Sequence, residues 1–189
     1  FSVIILGMNA LMLVFNDRNL KMRNSCSPLS ISSMNMQFIL ANLSFTIFSW
    51  LIMVLLCLMI NIKKGFTINT VYFIISSFIF AFCCSSVSYL IGNVIKSSTA
   101  VPALSNIITL GTSFISGVFV PQQLLGSSIL KIASFTPTYW YVKANNTIAD
   151  LTQFDFHHLQ PVFSDLLVIV GFGLAFFSVA LAIGKKKRY

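Results

Sequence analysis

The chain has 189 residues, of which 57% are hydrophobic and 8% charged, and its formal net charge is +8. A water-soluble domain carries about a quarter charged residues, so no soluble fold covers this much apolar surface with so few charges, and the bilayer is the natural solvent. The basic residues sit in short clusters between long uncharged runs, which excludes a nucleic-acid groove with interleaved aromatics and fits loops held on the cytoplasmic side by Lys and Arg.

Phe1 to Phe15 is apolar except for Ser2 and Asn9. It opens with no basic n-region, so it does not read as a signal peptide; it reads as a transmembrane helix already under way, in the C-terminal portion of a longer protein. Asn16, Asp17, Arg18, Lys21 and Arg23 mark an exit into water, and a polar stretch with Pro28 follows. Residues 16–37 are expected to form a cytoplasmic loop. Phe38 to Ile60 carries no charge and is the strongest helix signal, ended by Asn61, Lys63, Lys64 and Gly65. Val71 to Ile95 is the next uncharged run, so the two predict an antiparallel hairpin. Its serines at 76, 77, 85, 86 and 88 let helices approach closely and hydrogen-bond across the contact.

After a short break at Lys96 to Thr99, Val101 to Val120 is expected to span, with Pro102 in its first turn, where a missing N–H is tolerated. Ser113 and Gly117 form a small-xxx-small pair. Residues 121–165 differ from the rest. Pro121, Pro137 and Pro161 mark corners, the apolar stretch from Leu124 to Phe135 is too short to cross, and Tyr139, Trp140 and Tyr141 sit together as residues of the headgroup level do. This region predicts a re-entrant or interfacial helical segment, then a polar extracytoplasmic excursion carrying Asp150, Asp155, His157 and His158. Leu166 to Gly184 is the last spanning run, stopped by a basic cytoplasmic tail at 185–189. The fold class is therefore an all-α membrane protein, a single transmembrane domain over 1–189. It is a polytopic helical bundle of about five transmembrane helices, the first truncated, plus the re-entrant segment. With alternating loops, the side holding Arg18, Lys21, Arg23, Lys96 and the tail is the more basic one. The positive-inside rule therefore places it, with the C-terminus, in the cytoplasm.

Catalytic patterns are missing from the sequence. It has no GxxxxGK[ST] phosphate loop, no HExxH and no GxSxG. Cys26, Cys57, Cys83 and Cys84 show no zinc or disulfide spacing. His157 and His158 are adjacent, so their side chains point apart and no third ligand is evident. Asn145-Asn146-Thr147 is formally a glycosylation acceptor, a triplet that chance supplies often. No ionisable residue lies inside the long apolar runs, whereas proton relays and ion-coupled transporters need one there.

Residues 117–148, GVFVPQQLLGSSILKIASFTPTYWYVKANNTI, resemble the membrane subunits of type-2 ATP-binding-cassette (ABC) exporters. In that family the fifth helix ends in a Gly-containing, Pro-terminated stretch, a re-entrant helical hairpin follows, and a P…W corner leads to the sixth helix; Gly117, Pro121, Pro137 and Trp140 match those features. NDRNLKMRNSCSPLS at 16–30 resembles the family's cytoplasmic loop. The resemblance implies a permease with no catalytic, cofactor or metal site of its own, ATP being bound by a partner. An ABC ATPase subunit would dock at Arg18, Lys21, Arg23 and Pro28, and a second permease copy or homologue would face this one within membrane lipid, with no nucleic acid involved. The path between the two would be lined by Asn106, Thr109, Thr112 and Ser113, for which ordinary helix packing is the competing account. The implied setting is the cytoplasmic membrane and the implied activity is export. Two other readings stand beside it: a non-transporting membrane scaffold, and a secondary transporter or channel subunit, which needs a charged or broken intramembrane site.

Overall fold

The computed structural model describes residues 31–60, 67–94, 100–151 and 156–186. These residues form six α-helices and one 3-10 turn, with no strand among them. Helix α1 is Ile31–Ile60, α2 is Ile68–Val94 and α3 is Ala100–Ile115. The 3-10 turn Gln122–Leu124 leads to α4, Ser127–Ala133, then α5, Pro137–Asp150, and α6, Phe156–Lys186. Among the described residues three stretches are long and apolar enough to cross a membrane: Ile39–Ile60, Ile68–Val94 and His157–Ile183. The chain is an all-α membrane protein.

Its polarity is that of a protein solvated by lipid. On α1 the buried face is Asn42, Thr46 and Ser49, while Phe48, Leu51, Leu55 and Met59 point outward; Thr46 is 1% exposed and Phe48 65%. In water this arrangement would expose apolar surface and desolvate hydroxyls, at a loss on both counts. In hydrocarbon nothing is lost outside, and small polar side chains join helices inside. Trp50 of α1 donates its indole N–H to Ser77 Oγ of α2 at 3.0 Å and meets Phe78 edge-on at 4.9 Å, closing the expected antiparallel hairpin.

The tightest core belongs to α2, α5 and α6. Phe80, Ala81, Cys83, Cys84 and Ile91 of α2 pack with Ala144 and Ile148 of α5 and with Val162, Leu166 and Ile169 of α6. Register along α2 is read from its partners. Asn69 donates to the carbonyls of Ile148 and Leu151, Ser76 donates to Asn145 Oδ1, and Phe80 stacks on Tyr141 with centroids 4.1 Å apart. These pairs descend α5 as they ascend α2, so the two helices are antiparallel. On α6, Gly173 approaches Cys83 and Phe177 meets Tyr89, so α2 and α6 are parallel. Pro137 precedes Tyr141 by one turn, so α5 starts beside the middle of α2 and ends near its first residues.

Two expectations need correction. Val101 to Val120 does not form one spanning helix. It is helical for the 16 residues of α3, about 24 Å at 1.5 Å per residue against a hydrocarbon core of about 30 Å. The last long helix begins at Phe156 rather than Leu166, so most of the excursion expected up to 165 is helix and His157 and His158 stand exposed in the first turn of α6. Helix α1 likewise starts inside the expected 16–37 loop. The Phe1–Phe15 run lies outside the described residues.

Candidate functional site

The end of α3 and the start of α5 meet in a polar turn at mid-height of α2. Helix α3 stops because Gly117 takes φ +96°, a left-handed conformation that side chains with a Cβ resist. The Val118 N–H then reaches back to the Ser113 carbonyl at 3.3 Å, the six-to-one bond of a Schellman stop. A Cβ on Gly117 would collide with Cγ of Gln122. That glutamine ties the turn together: its Nε2 donates to the Ser116 carbonyl at 2.8 Å and the Tyr139 carbonyl at 3.2 Å. Ser116 Oγ lies 3.2 Å from Thr136 Oγ1, Thr136 donates to the Ala133 carbonyl, and the Trp140 indole N–H donates to the Ser134 carbonyl at 2.8 Å. Non-helical backbone survives at membrane depth only when such partners replace water.

Of the four residues expected at the re-entrant segment, three come together here. Gly117 turns α3, Pro137 is buried at the first position of α5, and Trp140 caps the end of α4. Pro121 is exposed, one residue before the 3-10 turn. Sequence reasoning missed Gln122; a glutamine next to a Pro corner in an otherwise apolar segment was the available signal.

The four residues expected to line a path differ in exposure. Thr109 and Ser113 are buried with Val101 and Ser105 in a stripe at four-residue spacing, Asn106 is exposed at the edge of that stripe, and Thr112 is half-buried. Ser105, Thr109 and Thr112 each donate to the carbonyl four residues earlier, at 2.7, 2.6 and 2.7 Å. Hydroxyls satisfied within their own helix leave a slim surface for packing, so ordinary packing accounts for Thr109 and Ser113. Asn106, beside Ile107 and Leu110, faces outward.

A charge pair also crosses the bundle, contrary to the expectation that ionisable side chains stay out of it. Lys143 Nζ of α5 lies 2.9 Å from Asp165 Oδ1 of α6, with Asp165 2% exposed and Lys143 42%. Asp165 stands nine residues after Phe156, about 13 Å along the helix. The earlier start of α6 is what carries it inside. The ammonium also sits 4.9 Å from the Trp140 ring centroid, within cation–π range. A chain of contacts thus runs from α6 through Lys143 and Trp140 to the α4–α5 corner. Among the described residues Asp165 Oδ2 has no hydrogen-bond partner.

Arg18, Lys21, Arg23 and Pro28 lie outside the described residues. Among the described residues no group of His, Cys, Asp and Glu is placed to hold a metal ion. The family model described as ABC-2 family transporter protein matches residues 1–182 of the chain. Neither a curated protein nor a solved structure matches it.

Proposed function

The chain belongs to the ABC-2 transporter family, and from that membership we propose that it is the membrane-spanning permease of an ATP-driven exporter. It would be powered by a separate ABC ATPase subunit and paired with a second permease copy or homologue in the cytoplasmic membrane. The observation that supports this most is the polar turn at mid-height of α2. Gly117 and Gln122 let the chain turn there, the short helix α4 follows, and α5 leaves beside the same end of α2 at which α6 begins. On this reading residues 121–151 re-enter the membrane from outside and cap the outer end of a path between two permeases. The cytoplasmic loop with Arg18, Lys21, Arg23 and Pro28 receives the ATPase, and the C-terminal tail shares that side. ATP binding draws the two ATPases together and rocks the permeases. Such a cycle requires the cargo to bind the two states unequally.

The test is reconstitution. Co-expressed with an ABC ATPase subunit from the same organism, the chain should co-purify with that subunit, and the complex in proteoliposomes should hydrolyse ATP and move cargo. Arg18→Glu combined with Arg23→Glu should break both the association and the ATPase activity while leaving the chain membrane-inserted. An ATPase whose rate ignores the presence of this chain would refute the proposal. A second reading, an ion-coupled transporter, is favoured by Asp165, whose Oδ2 has no partner among the described residues. Transport that follows an imposed ion gradient without ATP would select it.

A further inference from the structure

A cavity of about 410 Å³ opens between α1 and α6, with α2 as its floor. None of the α3 residues expected along the transport path lines it, so it is separate from the exporter reading. Its walls include Leu43, Phe82, Leu174 and Phe177, and among the described residues no Asp, Glu, Lys, Arg or His lines it. Leu174 is also exposed on the outer face of α6, so the cavity communicates with the surface that meets lipid.

Two polar side chains line this apolar space without hydrogen bonds among the described residues: the Asn42 amide of α1, 9% exposed, and the Ser85 hydroxyl of α2, 8% exposed. Their neighbours show what a satisfied group does here. Ser86 donates to the Phe82 carbonyl at 3.2 Å, and Thr46 donates to the Asn42 carbonyl at 2.9 Å. An amide offers two donors and an acceptor, and leaving them unused in hydrocarbon is costly. An apolar cavity with a few convergent polar groups is the usual form of a small-molecule site. Its size also limits the occupant. At the ~30 Å³ that a water-sized group takes in a liquid, 410 Å³ holds roughly fourteen such groups, one acyl chain with a small head and not a two-chain phospholipid.

We propose that this cavity binds an uncharged single-chain amphiphile drawn from the bilayer, with its chain on Leu43, Phe82, Leu174 and Phe177 and its neutral hydrogen-bonding head on Asn42 and Ser85. The test uses the full chain in lipid nanodiscs and a monoacylglycerol bearing a diazirine in its chain. Irradiation should label residues of 39–43, 78–89 and 169–177, and excess unlabelled monoacylglycerol should abolish that labelling. Asn42→Leu with Ser85→Ala should raise the half-saturating concentration about tenfold, the loss of roughly one to two neutral hydrogen bonds. Neither substitution removes a hydrogen bond among the described residues, so the thermal midpoint should not fall. Non-saturable label spread along the outer faces of α1 and α6 would mean ordinary boundary lipid and overturn the proposal. So would a cavity that takes no label. Saturable labelling by a diazirine alkane with the same half-saturation would remove the polar pair from the account, and stronger binding of a diazirine fatty acid anion would overturn the neutral head.

Discussion

The two ends of the Lys143–Asp165 pair should respond unequally to neutralisation. Lys143→Met leaves the Asp165 carboxylate 2% exposed with neither oxygen paired, and stranding a buried charge in this way costs about 3–5 kcal/mol. Asp165→Asn leaves an ammonium that is 42% exposed and still sits over the Trp140 ring. Partial solvation and the cation–π contact hold that loss to about 1 kcal/mol. Lys143→Met with Asp165→Leu strands nothing and should return to within about 1 kcal/mol of wild type, because apolar replacement of a buried pair is often neutral. Reversible SDS unfolding in mixed micelles, followed by circular dichroism, measures all three. The expected coupling energy across the cycle is at least ~2 kcal/mol. Equal single losses, or a double variant whose loss is the sum of the singles, would refute the assignment of the charge burden to Asp165.

Gly117→Ala should cost about 1–2 kcal/mol for the left-handed backbone alone and more through the collision with Gln122; the same unfolding assay reads it, and adding Gln122→Ala should recover part of the collision cost. Gln122→Leu leaves the carbonyls of Ser116 and Tyr139 without their donor, a loss of about 1–3 kcal/mol. In the reconstituted complex it should reduce cargo movement more than ATP hydrolysis, seen as a raised ATP-to-cargo ratio. Trp50→Phe removes the bond to Ser77 and should cost about 1 kcal/mol, detectable as a lowered thermal midpoint in detergent.

The sequence made the long helices and the Pro-marked break into short helices legible because length, hydropathy and the proline corners are local signals. Phe38 to Ile60 and Val71 to Ile95 fall within α1 and α2 apart from Ile95, which is not described. In the sequence Gly117 stands only as half of a small-xxx-small pair and as part of a Gly-containing, Pro-terminated stretch, and its left-handed backbone is not read from either. The stop at Ile115 was harder to see: Val118, Phe119 and Val120 continue the hydropathy after the helix has ended. Hydropathy also hid the start of α6. His157, His158 and Asp165 looked like a water-filled loop, yet Asp165 is admitted to the bundle by Lys143, a partner 22 residues away that no local window contains. The pathway set divides by exposure rather than by pattern: Asn106 is exposed at the edge of α3, whereas Thr109 and Ser113 belong to its buried stripe.

The distribution of contacts also says which parts can move against which. The buried core of α2, α5 and α6 interlocks by apolar packing, the Asn69 and Ser76 bonds and the charge pair, so these three helices act as one body. Helix α3 joins that body at its far end through the Ser116–Gln122 turn, and its buried stripe is of small residues, of which Ser105 and Thr109 bond within their own helix. Such a surface can slide while these two hydroxyls keep their carbonyl partners. In a permease that rocks, motion is then expected between α3 and the α2–α5–α6 body, with Gly117 and Gln122 as the pivot. The charge pair would hold α5 to α6 while α3 swings. Spin labels at Asn106 and Val170, exposed positions on α3 and α6, should change separation when ATP is bound, whereas labels at Ala149 and Phe163 within the body should not; a fixed α3 distance across the cycle would remove the pivot.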